Sequence, residues 1–415
     1  MTGRPVESQG SPAIKQIWPV LFAVFVDTLL LMGLLPLLPG LQEGGLSEGT
    51  IGLLLGSYSF SGLLLCLPLG LASDRWRPRP IFTIGILGTV LSAGVLALIP
   101  SAAGIGLGRV LQGVSSAAVW TSGMVIASEH FGPGRRSLAV ASIFSAASLG
   151  ELAGPVASGF LFERARVSVF FWLAAALAAG LVLFQWVGGG SGAARRPAAT
   201  LPVPRAGRRQ WLALATRGAL ALVLFVIFTV ILLVAPFKFA RELGYGPEAI
   251  GVAMIGWNVV MIGSQIASGR WEAVRGGRGP LVTGMIVLAG GLALFGTFKT
   301  AVPMLSALYL SAAGVGLAST VATAQISETW ERMRPAGTGL GTAFGVANTI
   351  WSLGFLSGNL VGGWVLTIVP MQSILISMSL VLIPFLFGVL LAPRGRLPGP
   401  GAAGFARLPV DPRDS

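Results

Sequence analysis

Three ionisable residues interrupt long apolar stretches of the chain: Asp27, Arg109 and Glu151. A charge at the centre of a bilayer costs about 2.5 to 3.5 kcal/mol on insertion scales, so such a residue is kept for a partner or a task. A carboxyl group can take up and release a proton, whereas a guanidinium stays charged and acts by changing how its neighbours titrate. The two carboxyl groups, Asp27 and Glu151, are therefore candidate proton sites, and Arg109 is a candidate for tuning their titration.

The depth of each residue along its helix indicates which of them can meet. At about 1.5 Å of rise per residue, Arg109 and Glu151 each lie ~10 Å from the outer end of a helix, and Asp27 lies ~15 Å from the inner end. We therefore expect Glu151 to face Arg109, as a structural ion pair or as a second acid. The structural alternative for Asp27 is a hydrogen bond to a neighbouring helix.

The residues around Glu151 predict an unusual helix. Gly150, Gly154, Pro155 and Gly159 all fall within one apolar run. Glycines four apart form a flat strip against which another helix can pack closely, and proline removes a backbone donor and bends the helix. This combination predicts a tightly packed, bent helix, which a pore or carrier needs and a passive anchor does not.

The composition places these elements in a membrane. The 415 residues are 54% hydrophobic and 10% charged, with a mean hydropathy of +0.81, whereas about a quarter of the residues in soluble domains are charged. Apolar stretches of ~20 residues, enough to cross a bilayer core of about 30 Å, recur along the chain without the alternation of barrel strands. We predict an all-α membrane protein with twelve transmembrane helices, the first of them retained. The twelve segments are 16–38, 49–72, 80–99, 103–127, 137–162, 169–187, 212–236, 249–268, 281–298, 303–325, 338–366 and 370–391.

The distribution of the 28 lysines and arginines sets the predicted topology. With the N-terminus in the cytoplasm, 22 of them lie on the inner side, counting Arg217 at the inner end of its span, five lie on the outer side, and Arg109 alone lies deep within a span. The positive-inside rule therefore predicts cytoplasmic termini and a multi-pass protein of the cell (inner) membrane. The net charge of +13 is then a topology signal rather than a sign of nucleic-acid binding. A single cysteine, Cys66, and a single histidine, His130, predict neither a disulfide framework nor a metal site, and no cofactor is expected.

The chain divides into two predicted halves. Residues 1–187 form the N-terminal six-helix half, 188–211 a Gly-, Pro- and Arg-rich cytoplasmic linker, 212–392 the C-terminal half, and 393–415 a disordered tail. The pattern around residues 51–70 recurs at an offset of 199, and the glycines of 150–159 recur at an offset of 204. Such a parallel repeat places a substrate site between two pseudo-symmetric halves near the midplane.

The loop that follows the second span contains Gly70, Asp74, Arg75 and Arg79. It resembles the signature loop of the major facilitator superfamily, in which a glycine is followed after three residues by Asp-Arg and then by a basic pair. The resemblance implies that this cytoplasmic loop stabilises the outward-open state.

Three further segments resemble the drug:proton antiporter branch of the same superfamily. The run Arg109–Gly113 resembles the motif of proton-driven efflux members, and Gly150–Gly159 resembles their antiporter motif. The segment from Phe25 to Pro39, with Asp27, is similar to vesicular amine transporters and bacterial drug-efflux relatives. Two acids of the amine carriers are replaced by Ala235 and Asn348, which weakens the case for a cationic amine.

The resemblance and the buried charges together predict a secondary active transporter. It would export a small apolar or amphipathic organic compound in exchange for protons by alternating access, as a monomer. Polar and aromatic residues within the spans are expected to line the cavity or to join helices. These residues are Gln112, Asn258, Gln265, Asn348 and Trp351.

Two other functions remain open at this point. A metabolite facilitator or symporter could share the fold, and a transporter-like membrane sensor is a candidate from a different class. An enzyme is not expected, because the spans hold no histidine, no metal-ligand set and no nucleophile with a base.

Overall fold

A computed structural model of the chain describes residues 10–131, 136–164, 166–187, 207–333 and 340–391. Within these ranges the secondary structure is helical, with no strand. The helices are α1 (Gly10–Met32), α2 (Leu38–Glu43), α3 (Glu48–Arg75), α4 (Pro78–Leu98), α5 (Ala102–Phe131), α6 (Arg136–Arg164), α7 (Val167–Val187), α8 (Arg208–Leu243), α9 (Pro247–Arg275), α10 (Arg278–Thr297), α11 (Ala301–Arg332), α12 (Leu340–Leu366) and α13 (Met371–Leu391).

The long helices agree with the segments predicted from hydropathy. All of them except the short α2 have at least 20 residues, and eleven of the described helices are long and apolar enough to cross a membrane. The remaining long helix, α6, has 29 residues and carries Glu151. The prediction of an all-α multi-pass membrane protein is therefore confirmed.

The first predicted span is interrupted near its end. Helix α1 stops at Met32, a 3-10 turn covers Leu35–Leu37, and α2 follows at once. Pro36 and Pro39 fall in the first turns of these two short elements, where a missing N–H leaves no hydrogen bond unmade. The prolines thus end α1 and start a short helix that contacts α8.

Helix α8 begins earlier than the sequence suggested. It starts at Arg208, with Gly207 before it, so residues 208–211 are helical rather than part of a linker. Residues 188–206 of the predicted linker and the predicted tail from residue 393 lie outside the described residues.

Helix α3 packs along α12, and glycine makes this contact possible. A β-carbon on Gly52 would lie 2.8 Å from the α-carbon of Gly363, and one on Gly70 would press on the carbonyl oxygen of Gly341. Only glycine allows two backbones to approach so closely. Since Gly52 and Gly70 lie near opposite ends of α3, the two helices touch along almost their whole length.

Helix α6 packs between α1 and α9. A β-carbon on Gly154 would lie 2.5 Å from the carbonyl oxygen of Leu29, and one on Gly159 would press on the backbone at Pro247. The glycines at 150 and 154 thus face α1, while the end of α6 faces the start of α9. This confirms the close helix packing predicted for this segment.

The helix bundle has two ends, and we name each after one acidic residue that lies there. The Asp74 face contains the end of α3 with Asp74, the start of α12 and the end of α9. The Glu48 face contains the start of α3 with Glu48, the start of α9 and the ends of α6 and α8.

Candidate functional site

Helix α5 presents one polar face to α1 and α3. Arg109, Gln112, Ser116 and Trp120 follow one another at intervals of three and four residues, so they lie on one side of the helix. Arg109, Gln112 and Ser116 are at most 5% exposed. An all-buried polar face must find its hydrogen-bond partners on other helices, and here the main partner is Asp27 of α1.

Asp27 is completely buried. Its Oδ2 accepts a hydrogen bond of 2.7 Å from the Ser116 hydroxyl and one of 3.0 Å from the Trp120 indole N–H. Its Oδ1 is buried without a hydrogen-bond partner. The carboxyl group is thus held by one of its two oxygens.

Arg109 lies near Asp27 without forming an ion pair with it. Its Nη1 donates a 2.6 Å hydrogen bond to Oε1 of Gln112, and the guanidinium carbon lies 4.7 Å from the ring centroid of Tyr58. The Gln112 amide in turn donates to the backbone oxygen of Asp27 at 3.4 Å. The arginine charge is therefore balanced by an aromatic face and an amide oxygen rather than directly by a carboxylate.

Tyr58 of α3 completes this group. Its hydroxyl lies 2.8 Å from the Ser116 hydroxyl, which in turn contacts Asp27. We name the six residues together the Asp27 network. They are Asp27, Tyr58, Arg109, Gln112, Ser116 and Trp120.

The two described residues Glu151 and Arg109 form no ion pair in this structure. Gly150 and Gly154 turn towards α1, and the backbone at Glu151 meets α9. There its backbone oxygen accepts a 3.2 Å hydrogen bond from Asn258, whose side chain also contacts the backbone of Met254. Arg109 instead contacts Gln112 of its own helix α5 and the ring of Tyr58 on α3.

The remaining cavity candidates lie mostly in the second half of the chain. Trp351 stacks on Phe355, with 4.0 Å between ring centroids, and Phe355 continues to Phe228. The side-chain nitrogen of Asn348, one turn before Trp351, is buried without a partner. Gln265 is half-buried on α9.

Asp74 joins α3 to the start of α12. Its Oδ1 accepts a 2.7 Å bond from the backbone N–H of Gly341, and its Oδ2 accepts bonds from the backbone N–H and the hydroxyl of Thr342 at 2.9 and 2.6 Å. The first N–H groups of a helix have no partner within the helix and carry a partial positive charge, so a carboxylate stabilises them. Of the two predicted loop arginines, Arg75 is exposed and Arg79 is half-buried in the first turn of α4.

The Glu48 face carries two charged contacts between helices. Arg241 at the end of α8 donates to Glu48, and to Gln42 of α2 at 3.0 Å. Arg164 at the end of α6 lies 2.7 Å from Glu248 at the start of α9. In this conformation α3 and α6 therefore touch helices from later in the chain at both faces: α12 at the Asp74 face, and α8 and α9 at the Glu48 face.

The sequence singled out Asp27, Arg109, Gln112 and Asp74 but missed several of the residues that bind them. Tyr58, Ser116 and Thr342 were missed, because a serine, a threonine or a tyrosine in an apolar span gives little signal alone. The spacing of Ser116 and Trp120 after Arg109 and Gln112 was the signal that could have found two of the partners.

Comparisons with known proteins agree with this geometry. A profile of the Major Facilitator Superfamily matches residues 20–341. The chain is 30% identical over 166 residues to the MFS-type transporter ppzB of Metarhizium rileyi, covering 39% of this chain and 34% of that protein. It is 31% identical over 169 residues to the class C tetracycline resistance protein of Escherichia coli, covering 40% and 42%. The matched segments thus span about a third to two-fifths of the length of these relatives.

A solved structure matches almost the whole fold. The human organic anion transporter MFSD10 (TETRAN) superposes with a TM-score of 0.68 and 20% identity, covering 91% of this chain and 99% of that one. The match extends the shared fold to helices that the sequence relatives do not cover. The chain therefore belongs to the Major Facilitator Superfamily and has the fold of its membrane transporters.

Proposed function

We propose that this transporter exports a small apolar or amphipathic organic compound in exchange for protons. The observation that carries the proposal is Asp27: a fully buried carboxyl group, bound through Oδ2 alone and adjacent to a buried arginine that does not pair with it. A carboxylate in a salt bridge with an arginine would have a structural role, whereas a carboxylate with one oxygen free of hydrogen bonds can bind and release a proton. The likeness to a tetracycline resistance protein supports export of an organic compound.

Alternating access supplies the coupling. We place the Asp74 face and both termini on the cytoplasmic side of the cell membrane, and the Glu48 face on the outer side. Two pseudo-symmetric halves would then open alternately at the Asp74 face and at the Glu48 face. Protonation and substrate binding would favour different conformations, so each would shift the balance between the inward-open and outward-open states and thereby change the binding of the other. Asn348 and Trp351 are proposed to contact the substrate, with Glu151 as a second acid beside Asn258.

The test is dye uptake into inside-out vesicles, whose lumen corresponds to the outside of the cell and is acidified by respiration, with a panel of fluorescent amphipathic dyes as probes. Asp27→Asn is expected to abolish uptake against a concentration gradient while dye-for-dye exchange continues. Glu43→Gln, which changes an exposed carboxylate at the end of α2, is the matched control and is expected to behave as wild type. Undiminished, pH-coupled transport by Asp27→Asn would rule out Asp27 as the proton site.

The same assay separates the proposed antiporter from other transporters. A protonophore should stop concentrative uptake into these vesicles if protons drive the exchange. A facilitator would equilibrate the dye equally well with or without the protonophore, and a proton symporter would move it in the opposite direction.

A further inference from the structure

The two carboxyl oxygens of Asp27 have different surroundings. Oδ2 is the target of two donors, the Ser116 hydroxyl and the Trp120 indole N–H, while Oδ1 is buried without a partner. An indole N–H can only donate, so a proton on Oδ2 would have to displace at least one of these bonds. Oδ1 has its lone pairs free and is the atom at which a proton can bind without breaking a contact.

The hydrogen positions on the two hydroxyls follow from counting. Ser116 has one hydrogen, and it is donated to Asp27 Oδ2 at 2.7 Å. The 2.8 Å contact between the hydroxyls of Ser116 and Tyr58 must then be donated by Tyr58. The result is a one-directional hydroxyl chain from Tyr58 to Ser116 to Asp27, in which the outer bond polarises and strengthens the inner one.

The titratable groups around this chain come from a few helices. Helix α5 contributes Arg109, whose guanidinium lies over the Tyr58 ring rather than against Asp27. Helix α3 contributes Tyr58 and, about two turns further along the helix, Cys66. Helix α6 meets α1 through glycines, Gly150 and Gly154, and the side of α7 that meets α1 is apolar. The hydroxyl chain through Ser116 therefore connects Asp27 of α1 to Tyr58 of α3 by two hydrogen bonds.

We infer that Tyr58 and Ser116 are positioning residues that hold Asp27 Oδ2 and reserve Oδ1 for the transported proton. The inference rests on the proposed function. The proton binds to Oδ1 from water that enters when the bundle opens, and it returns to water on the other side, while Ser116 and Tyr58 keep their own hydrogens. Because α3 is packed along α12, a movement between these helices would displace Tyr58 and change how readily Asp27 releases its proton.

The test follows the proton itself and needs no transported compound. Purified full-length protein in lipid nanodiscs is titrated with acid and base, and the infrared band of a protonated carboxyl group is recorded. The part of this band that Asp27→Asn removes reports Asp27. Thermal unfolding of each variant, measured in parallel, separates loss of the fold from loss of the contact.

Removing a donor to a carboxylate favours its protonated form, so the titration midpoint should rise. For Ser116→Ala we expect a rise of about one pH unit, since a hydrogen bond to a charged group and a unit of pH correspond to similar free energies. Tyr58→Phe keeps the ring beneath Arg109 and removes only the outer donor, so its rise should be smaller. Ser116→Thr, which keeps the hydroxyl, should restore the wild-type midpoint.

Two matched controls remove a hydroxyl elsewhere. Tyr309→Phe removes a hydroxyl that donates to the backbone of Ala253, and Ser59→Ala removes a buried hydroxyl next to Tyr58 that has no partner. Both should leave the midpoint unchanged.

Folded Ser116→Ala and Tyr58→Phe proteins with the wild-type midpoint would overturn the positioning role and leave Asp27 as the proton site. If instead the wild-type protein shows no titrating infrared band that depends on Asp27, then Asp27 is not the proton site, and the positioning role of Tyr58 and Ser116 is ruled out as well.

Discussion

Asp74 offers a test of how the Asp74 face is held closed. Its carboxylate accepts three hydrogen bonds from Gly341 and Thr342, at the N-terminus of α12. Replacing Asp74 by Ala removes all three bonds and leaves two N–H groups of the first helical turn without their acceptor. When the face opens, water can reach both groups, so the substitution destabilises the closed arrangement more than the open one.

The magnitude follows from these contacts. A hydrogen bond to a charged group contributes about 1.5 kcal/mol net at the lower end of the observed range, and a negative charge at a helix N-terminus adds ~0.5 kcal/mol. Allowing for the mutual dependence of the three bonds, we expect a loss of about 3 kcal/mol. At about 1.4 kcal/mol for each factor of ten, the ratio of closed to open molecules should fall by roughly 10²-fold. Asp74→Asn, which keeps one acceptor oxygen, should show a smaller shift.

The assay measures the opening directly. Cys66→Ser provides a cysteine-free background, and nitroxide labels are placed through Trp76→Cys at the end of α3 and Val274→Cys near the end of α9, both on exposed side chains. Electron paramagnetic resonance then gives the distance distribution between α3 and α9. Asp74→Ala should move population from the short to the long distance. Arg77→Gln changes an exposed charge on the same face and serves as the matched control.

One result would refute this reasoning. If the folded Asp74→Ala protein gives the same distance distribution as the Arg77→Gln control, the contact with α12 does not hold the Asp74 face closed.

The other predictions concern packing and the opposite face. Gly154→Leu places side-chain atoms against the backbone at Leu29 and should destabilise the protein by about 1 to 3 kcal/mol, seen as earlier thermal unfolding, while Gly180→Ala, at an open position, should not. Equal unfolding temperatures would contradict the close packing. Arg241→Gln breaks the partly exposed contact with Glu48 and should weaken closure of the Glu48 face by at most about 1 kcal/mol, an effect that high salt reproduces in wild type. A large, salt-independent effect would show that the contact matters in another way.

The helices could be predicted because hydropathy and length are local properties of the chain. Each predicted span meets a helix, and the main deviation, the break after Met32, comes from Pro36 and Pro39. The start of α8 was placed too late because basic residues such as Arg208 and Arg209 have the composition of a linker, although they suit the end of a helix at a headgroup surface equally well.

The site could be predicted only in part, because its partners come from different helices. Asp27 and Arg109 were evident as charges in apolar spans, yet their depth alone suggested Glu151 as the partner of Arg109. Depth does not fix rotation about the helix axis. The close contact of Gly154 with α1 sets that rotation for α6, and in the resulting arrangement Glu151 and Arg109 form no ion pair. Tyr58 could be placed beside Arg109 only once the packing of α3 on α5 was known.

The complete burial of Asp27 has a consequence for cells that make this protein in quantity. In the conformation described, water on neither side of the membrane reaches the carboxyl group, so the resting protein adds little to the passive leak of protons. For the proposed proton exchange, leak is then limited by how often the bundle opens without cargo, and it should rise in variants whose faces open more readily. A host that expresses such a variant would lose part of its proton-motive force and grow more slowly in acidic medium, even when there is nothing to export.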